Sequence, residues 1–238
     1  MRLKKRLREG SRLRGGILRT PAEMLVELSG IGGLDYVLVD CEHGPDDLLA
    51  LQQHVAIAQA HDLPVLVRIG RGEPNQVLRV LDLGAEGIIA PHVESAREAE
   101  EVVRSAHYPP RGERGFATYS RAGRYGAVTA TEHLSAAEDV LVVVMIETAA
   151  GVRRAADIVA VDGIDAVWVG PADLAVSLGV PPGDPAVRSA TDEVHEKARA
   201  AGVSVMSIVS SAEQGSASEA ELVVYNLAHI LLNTFRTL

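Results

Sequence analysis

The sequence contains little of several residue types on which particular folds and sites depend. A single cysteine, Cys41, excludes an internal disulfide and a cysteine-rich zinc site. Only 3% of the residues are aromatic, so a large core must be built from aliphatic side chains, as in a buried parallel sheet covered by helices. No apolar run reaches the roughly 20 residues that span a bilayer, and no secretory segment is visible. We therefore expect a soluble protein of the reducing cytoplasm, without a membrane partner.

Positive charge is also scarce, except at the amino terminus. The net charge of −9 argues against a general nucleic-acid binder. The first fourteen residues are instead strongly basic, with seven basic residues and one acid. This segment could be a transit peptide or an RNA-binding arm. The helical spacing of Leu3 and Leu7 instead favours a solvated basic helix over residues 1–14 that packs these two leucines on the rest of the protein.

Eight strand-like runs alternate with helix-like segments along the 238 residues. We expect strands at 15–20, 35–40, 64–70, 87–93, 140–147, 166–171, 203–209 and 222–226, and helices at 21–30, 46–60, 74–83, 95–106, 151–160, 185–201, 212–218 and 227–237. The strands are almost continuously apolar, as expected when both faces of a sheet are buried. The pattern predicts one (β/α)₈ barrel domain over residues 1–238. An open, doubly wound sheet is the alternative, although no G-x-G-x-x-G motif follows the first strand.

One long segment, 107–139, interrupts this alternation. It contains three of the five tyrosines and no low-complexity stretch. Long irregular segments in compact domains usually have a function, so we expect a functional or interface-forming loop.

Polar residues stand where strands are expected to end, which is where barrel enzymes carry their chemistry. They are Asp40, Glu42, His43, Arg68, His92, Glu147 and Asp173. Glu147 follows an apolar strand and needs a cation or water, because an unpaired buried charge is costly. Glu147 and Asp173 could together hold a hard divalent cation. Asp173 could instead be the N-cap of a helix.

The other strand-end residues also allow two interpretations each. Arg68 could grip a substrate carboxylate or form a structural ion pair with Asp40 or Glu42. His43 could be a general acid or base oriented by one of those carboxylates, or an ordinary surface residue. Asp46 and Asp47 are expected to begin a helix, where its dipole favours negative charge. Cys41 is expected to be a small buried residue.

Five segments together resemble a known family: DYVLVDCEHGPDD, VLVRIGRGEPNQVLRVLDLGAEGIIAPHVESAREAE, HYPPRGERG, VVVMIETAAGV and GIDAVWVGPADLAVSLG. They are similar, in order from about residue 10 to 180, to the metal-dependent class II pyruvate aldolases of the HpcH/HpaI group. These enzymes act on 4-hydroxy-2-oxo acids and 2-keto-3-deoxy sugar acids and are related to the citrate lyase β subunit. The resemblance implies a (β/α)₈ barrel of the phosphoenolpyruvate/pyruvate type. It also implies a lyase that joins or separates a pyruvate enolate and an aldehyde.

The resemblance assigns roles to individual residues. Glu147 and Asp173 would bind Mg²⁺, Mn²⁺ or Co²⁺, and pyruvate or another 2-oxo acid would bind that metal. Arg68 would stabilise the enolate oxygen, and His43, oriented by Asp40, would serve the proton transfers. The remaining implied roles are substrate binding by Gly170, Pro171, Ala172 and Asp173, support of the site by Glu42, and a contribution across a subunit interface by Asp82. The family also implies a homo-oligomer, typically a hexamer built as a trimer of dimers, in which the last helix, 227–237, is exchanged between subunits.

The sequence departs from this family at the acceptor side. Met145 stands where the aldolases often have glutamine, and the segments SIVSSAEQ and VVYNLAHILLNTF differ from the usual pattern. A thioester lyase, an oxaloacetate-type decarboxylase and, less favoured, a non-catalytic barrel are therefore the alternatives. The only lysines are Lys4, Lys5 and Lys197, none at an expected strand end, which disfavours a Schiff-base aldolase.

Overall fold

Eight parallel strands close into a barrel in chain order in the computed structural model, which describes residues 2–45 and 47–238. The strands are β1 (Leu13–Leu18), β2 (Tyr36–Asp40), β3 (Val65–Arg68), β4 (Gly87–Ala90), β5 (Leu141–Ile146), β6 (Ala166–Val169), β7 (Ser204–Val209) and β8 (Leu222–Asn226). All eight overlap the predicted runs. Pairing of Leu13 in β1 with Leu222 in β8 closes the barrel, so the open-sheet alternative is wrong.

Helices cover the outside of the barrel and follow the strands. They are α1 (Leu3–Arg8), α2 (Glu23–Ile31), α3 (Leu48–Ala60), α4 (Pro74–Asp82), α5 (Ala96–Ala106), α6 (Ala130–Ala137), α7 (Ala149–Arg153), α8 (Ala155–Val159), α9 (Pro171–Leu178), α10 (Pro185–Ala200), α11 (Ala212–Ala217) and α12 (Leu227–Thr237). The predicted helix 151–160 is two short helices, α7 and α8. Among the described residues, no helix has both the length and the apolar character needed to cross a membrane.

Helix α6 was not predicted from the sequence, and α9 was anticipated only as the helix that Asp173 would cap; both carry recognisable end signals. Helix α9 begins with Pro171 and ends at Gly179, whose φ of 69° gives the left-handed conformation typical of a helix terminus. Helix α6 begins with a capping box between Thr129 and Glu132. Asp46 and Asp47 were predicted to begin α3. Asp47 is the N-cap of this helix and accepts hydrogen bonds from two backbone N–H groups, whereas Asp46 lies outside the described residues.

The core has two layers, one inside the barrel and one between the barrel and its helices. The outer layer is made almost entirely of Val, Ile, Leu and Ala, as the shortage of aromatics predicted. The inner layer contains Tyr36, Met145 and Trp168 among aliphatic side chains. Because every residue of β2 to β6 is buried, the polar groups at the ends of these strands are held by a rigid frame.

Helix α1 packs against the amino end of the barrel. Leu3 and Leu7 are buried in the inner core layer, as predicted. The expectation of a fully solvated basic face is wrong for Lys4, whose side chain is 1% exposed. Its Nζ lies 2.8 Å from Asp165 Oδ2 and donates to the carbonyl of Val140 at 2.9 Å. Burial lowers the pKa of Lys4, and the charge of Asp165 opposes that change.

The long segment 107–139 packs on α4 and α5 through a buried polar cluster. Tyr108 Oη lies 2.8 Å from His133 Nε2. The guanidinium of Arg114 lies 4.7 Å from the centre of the Tyr108 ring and donates to Asp82 Oδ1 at 2.7 Å. His107 is 2% exposed, and its buried Nε2 has no hydrogen-bond partner among the described residues.

Candidate active site

The carboxyl ends of β2, β3, β4 and β5 bring a group of polar side chains together. Asp40 ends β2 and Arg68 ends β3, while His92 and Glu147 follow β4 and β5. Asp40, Arg68 and Glu147 are each less than 5% exposed. Buried charges persist only when they are paired or bind a cation, so each of these side chains needs a partner.

Asp40 and Arg68 form a bidentate ion pair between neighbouring strands. Arg68 Nε donates to Asp40 Oδ1 at 2.9 Å, and Nη2 donates to Asp40 Oδ2. Arg19 Nε lies 3.1 Å from the same Asp40 oxygen. Burial alone would raise the pKa of Asp40, but the hydrogen bond and charge of Arg68 hold it below its ordinary value. The structural ion pair proposed as one interpretation of Arg68 is therefore present.

The remaining nitrogen of Arg68 faces the interior of the site. Its Nη1 lies 3.2 Å from Glu42 Oε2 and 3.8 Å from the Met145 sulfur. The guanidinium also lies 5.6 Å from the centre of the Trp168 ring. Burial would lower the pKa of Arg68, but the hydrogen bond and charge of Asp40, and then the charge of Glu42, raise it. Arg68 is a fixed cation at the top of the inner core.

His43 is placed differently from the expectation that Asp40 orients its imidazole. The side chain of His43 is 53% exposed, and its Nε2 lies 3.9 Å from Glu42 Oε2. Asp40 instead accepts the backbone N–H groups of His43 and Glu42, each at 3.2 Å. Arg68 holds both oxygens of Asp40, and this fixed carboxylate in turn holds the backbone of the turn after β2. Asp40 therefore orients the backbone at His43 and not its imidazole.

Glu42, His92 and Glu147 together form a group that could hold a metal ion. One ligand atom from each lies within 4.8 Å of the others. His92 Nε2 is 3.4 Å from Glu42 Oε1, and His92 Nδ1 is 3.5 Å from Glu147 Oε1. Sequence reasoning identified His92 as a strand-end residue but gave it no role. No spacing within one segment indicates this group, because its members follow three different strands.

Glu147 is the most deeply buried carboxylate of this group, with 1% exposure. Its Oε1 accepts the backbone N–H of His92 at 2.8 Å. Burial raises the pKa of Glu147, and the charges of Glu42 and Asp173 raise it further, while the hydrogen bond and charge of His92 oppose the change. Gly170 lies against this carboxylate, because a Cβ at that position would come within 2.3 Å of Glu147 Oε2.

Asp173 lies in the first turn of α9, which begins beside Glu147. The N-cap of this helix is Gly170, so the interpretation of Asp173 as N-cap is wrong. Asp173 is half-buried and close enough to act electrostatically on Glu147. Gly170 is buried, whereas Pro171 and Ala172 are exposed. The first turn of α9 thus presents backbone N–H groups and one carboxylate next to Glu147.

Asp82 lies outside this group, at the end of α4. It pairs with Arg114 at 2.7 Å, and its carbonyl accepts the N–H of Ala122 at 2.9 Å. Exposed Leu49, Tyr119 and Tyr125 lie around it in one shallow depression with Asp82.

His92 also lines a cavity of about 360 Å³ between the ends of β3 and β4 and helices α4 and α5. Its wall includes Ile69, Val77 and Val93, and the exposed Arg71 lies at the same cavity. This volume lies within the range of pockets that bind small molecules.

The chain is similar to known proteins in sequence and in fold. Residues 19–224 match the model of the family described as HpcH/HpaI aldolase/citrate lyase. The chain is 39% identical over 202 residues to a 4-hydroxy-2-oxovalerate aldolase of Rhodococcus jostii, a match that covers 84% of this chain and 78% of the relative. It is 34% identical over 192 residues to a pyruvate aldolase of Rhizobium etli, covering 80% and 75%.

The fold also matches solved structures along nearly its whole length. A crystal structure of an HpcH/HpaI aldolase/citrate lyase family protein from Burkholderia cenocepacia superposes with a TM-score of 0.91 at 32% identity. The match covers 99% of this chain and 96% of that protein. The agreement therefore includes the carboxyl-terminal third of the chain, where the sequence motifs are weakest.

Proposed function

The chain belongs to the HpcH/HpaI aldolase/citrate lyase family, and we propose that it is a divalent-metal-dependent lyase that makes or cleaves a 4-hydroxy-2-oxo acid. The donor half is the enolate of pyruvate or another 2-oxo acid, and the acceptor half is an aldehyde. The observation that supports this proposal best is the group of Glu42, His92 and Glu147 beside the buried cation Arg68 at the carboxyl end of the barrel.

The residues at this end of the barrel fit a divalent cation. Glu147 is buried, and this burial raises its pKa, so a bound cation would compensate its negative charge. Glu147 and Asp173 would hold Mg²⁺, Mn²⁺ or Co²⁺, with Glu42 nearby, because carboxylate oxygens suit such ions. A bound cation would supply Lewis-acid stabilisation of the negative charge that develops on the keto oxygen when the enolate forms.

Arg68 contributes a second positive charge at the same oxygen. The guanidinium is 4% exposed and is fixed by Asp40, so it needs no reorganisation when charge develops on the substrate. Its Nη1 faces Glu42 and Met145, on the side of the site that would contain the substrate. Because water is largely excluded from this position, the electrostatic contribution is greater than at an exposed site.

His43 and the first turn of α9 provide the remaining polar groups. The half-exposed imidazole of His43 would accept the proton of the C4 hydroxyl during cleavage and return it during addition. Asp40 positions this turn through the backbone N–H groups of Glu42 and His43. The backbone N–H groups of Ala172 and Asp173, which follow Gly170 and Pro171 at the start of α9, would bind the substrate carboxylate.

The positions of the lysines favour metal-assisted over Schiff-base chemistry. Lys4 lies at the amino end of the barrel with Asp165, Lys5 is on the same helix, and Lys197 pairs with Glu193 on α10. Among the described residues, therefore, no lysine lies at the mouth near Arg68. An iminium intermediate with pyruvate would need one.

Hydrogen exchange at C3 of pyruvate in deuterated water tests the proposal, with Mg²⁺, Mn²⁺ or Co²⁺ added to metal-free protein. We expect metal-dependent exchange that is lost in Glu147→Ala and kept in Glu100→Ala, an exposed carboxylate on α5. Absence of exchange with all three ions would overturn the proposal and favour a non-catalytic barrel.

An oxaloacetate-type decarboxylase would pass through the same pyruvate enolate and would also catalyse this exchange, whereas a thioester lyase forms the enolate of an acyl thioester and would not exchange pyruvate. A screen of aldehydes with pyruvate, read by mass spectrometry, separates these alternatives. A product whose mass equals the sum of pyruvate and the aldehyde supports the aldolase. The cavity beside His92 gives space near the site for the acceptor half.

We also propose that the enzyme is a cytoplasmic homo-oligomer, a hexamer in which α12 and the surface at Asp82 meet a neighbouring subunit. Every residue of α12 that the structure describes is partly or fully exposed, including Leu231, Leu232 and Phe235. An amphipathic helix that exposes such side chains gains stability from a partner surface. Light scattering of the full chain, compared with Phe235→Glu, tests the oligomeric state.

A further inference from the structure

We propose that His92 is itself a metal ligand through an imidazole nitrogen, and that it shifts the ion preference of the site from Mg²⁺ toward ions that favour nitrogen, such as Co²⁺ and Zn²⁺. This ligand rests on the proposed function, since it needs the metal that the enolate chemistry uses. Neither the carboxylates Glu147 and Asp173 nor the family motifs imply a nitrogen donor at this position.

The distances around the His92 ring are those of ligand atoms and not of hydrogen bonds. Its two nitrogens lie 3.4 Å from Glu42 Oε1 and 3.5 Å from Glu147 Oε1. Hydrogen bonds to a carboxylate are shorter, about 2.7–2.9 Å. Ligand atoms that share one ion at about 2.1 Å stand roughly 3–3.4 Å apart in octahedral or tetrahedral geometry. A single ion can bind only one of the two imidazole nitrogens, and one ligand atom from each of Glu42, His92 and Glu147 lies within 4.8 Å of the others. One nitrogen of His92 is therefore close enough to both carboxylates to bind an ion together with them.

The backbone fixes His92 in this position independently of the ring. Its N–H donates to Glu147 Oε1 at 2.8 Å, so the main chain and the side chain of His92 both lie beside the carboxylate of Glu147. The residue has a φ of 53°, a left-handed conformation that few non-glycine residues adopt. This backbone contact keeps the Cα of His92 beside Glu147, so that the ring stays within reach of the carboxylate.

The competing explanation is a protonated His92 that serves as an internal counter-ion to Glu42 and Glu147. Arg68 already supplies a buried positive charge to Glu42, at 3.2 Å. Glu147, which is 1% exposed, is the carboxylate left without a fixed cation. A counter-ion would be displaced or unaffected when a metal binds, whereas a ligand must contact the ion. The two explanations thus differ in whether His92 contacts the bound ion, which can be measured directly.

A donor set of two carboxylates and one imidazole changes which ion is preferred. Mg²⁺ favours oxygen donors and keeps its water, while imidazole suits Co²⁺, Ni²⁺ and Zn²⁺. Replacing His92 by Met removes the nitrogen at similar size. The variant should bind Co²⁺ at least about tenfold more weakly, and its affinity for Mg²⁺ should change by less than about threefold.

Titration calorimetry on metal-free full-length protein with MgCl₂ and with CoCl₂ measures this difference. Pulsed electron paramagnetic resonance with Mn²⁺ supplies a second readout, because a directly bound imidazole nitrogen modulates the echo. We expect nitrogen modulation in the wild type and in His61→Met, a remote control at the end of α3, and its loss in His92→Met. Unchanged Co²⁺ affinity together with retained modulation would overturn the ligand assignment.

A second variant guards against misfolding, because the left-handed backbone at His92 could disfavour Met. Asn tolerates this conformation better, so His92→Asn should keep the fold and still lose the nitrogen modulation. If Co²⁺ binding is unchanged in both variants while pyruvate exchange still needs metal, only the role of His92 is wrong. If the wild type binds no divalent ion and shows no exchange, the proposed function fails as well.

Discussion

Glu147 and Gly170 are in contact across the gap between β5 and α9, so closely that a Cβ on Gly170 would lie 2.3 Å from Glu147 Oε2 and 3.0 Å from its Cβ. The requirement for glycine here is one of space. The carboxylate that would bind the metal is positioned by the absence of a side chain at the start of α9.

Gly170→Ala should therefore impair the site without removing any functional group. The added methyl must displace Glu147, and a displacement of about 1 Å can reduce catalysis on the order of a hundredfold. The measurements are metal affinity by calorimetry and the rate of pyruvate exchange. Gly115→Ala is the matched control, since a methyl there would meet only Leu78 at 3.9 Å. Equal metal affinity in Gly170→Ala and the wild type would contradict the prediction.

Removal of Arg68 should affect turnover and stability together. Loss of one preorganised charge at a developing oxyanion costs about 10²–10³-fold in turnover. Arg68→Met also leaves Asp40 buried with only Arg19 beside it, which should lower the free energy of unfolding by about 3 kcal/mol. Urea unfolding and the exchange assay measure the two effects.

The double variant Arg68→Met/Asp40→Asn separates these effects. It removes the buried carboxylate charge along with its partner, so it should recover much of the stability. Turnover should stay low, because the enolate still lacks its cation. Recovery of turnover along with stability would show that Arg68 acts only as a structural ion pair.

His107 should make the protein less stable in mild acid. Burial, followed by the charges of Arg111, Lys4 and Arg114, lowers the pKa of His107 to about 4. A histidine whose pKa is lower in the folded state contributes stability above its unfolded pKa of about 6.5, and this stability is lost as the pH falls toward 4.

Between about pH 6.5 and pH 4, protonation of His107 should lower the free energy of unfolding by about 3 kcal/mol, at 1.36 kcal/mol per pH unit. Urea unfolding between pH 7 and pH 4 measures it. His107→Gln should show a flatter dependence of the unfolding free energy on pH, whereas His61→Gln should follow the wild type. Parallel curves for wild type and His107→Gln would refute the role of His107.

Lys4 should matter more for stability than its neighbour Lys5. Lys4→Met leaves the buried Asp165 with only Arg8, at 3.6 Å, as a cation, and should cost about 3 kcal/mol of unfolding free energy. Lys5 is exposed on the same helix, so Lys5→Met should change the unfolding free energy by less than about 0.5 kcal/mol. A comparison of urea midpoints for the two variants tests this difference.

The barrel could be predicted from the sequence because burial on both faces of each strand produces continuous apolar runs with clear ends. The strand-end positions of Arg68 and Glu147 followed from the same pattern. The start of α9 was placed too late, at Asp173, because Pro171 and Ala172 directly follow a strand and leave no loop to separate them. Local sequence patterns thus identify a strand or a helix more easily than the residue at which one ends and the next begins.

The detailed contacts of the site were less predictable, for a geometric reason. Asp40 and His43 are close in sequence, yet Asp40 holds the backbone of His43 while its side chain pairs with Arg68 on the next strand. His92 is a candidate metal ligand only because of its distances to Glu42 and Glu147, which lie after other strands. Pairings between strands depend on barrel closure, which no single segment encodes.

The position of α1 has a consequence for how the chain reaches its final form during synthesis. This helix is synthesised before its partners, because Lys4 donates to a carbonyl 136 residues further along the chain. Its partners, Val140 and Asp165, belong to the second half of the barrel. Helix α1 can therefore dock only after the strands beside Val140 and Asp165 have been made, and until then Leu3, Leu7 and the basic side chains of α1 stay accessible to factors that bind nascent chains.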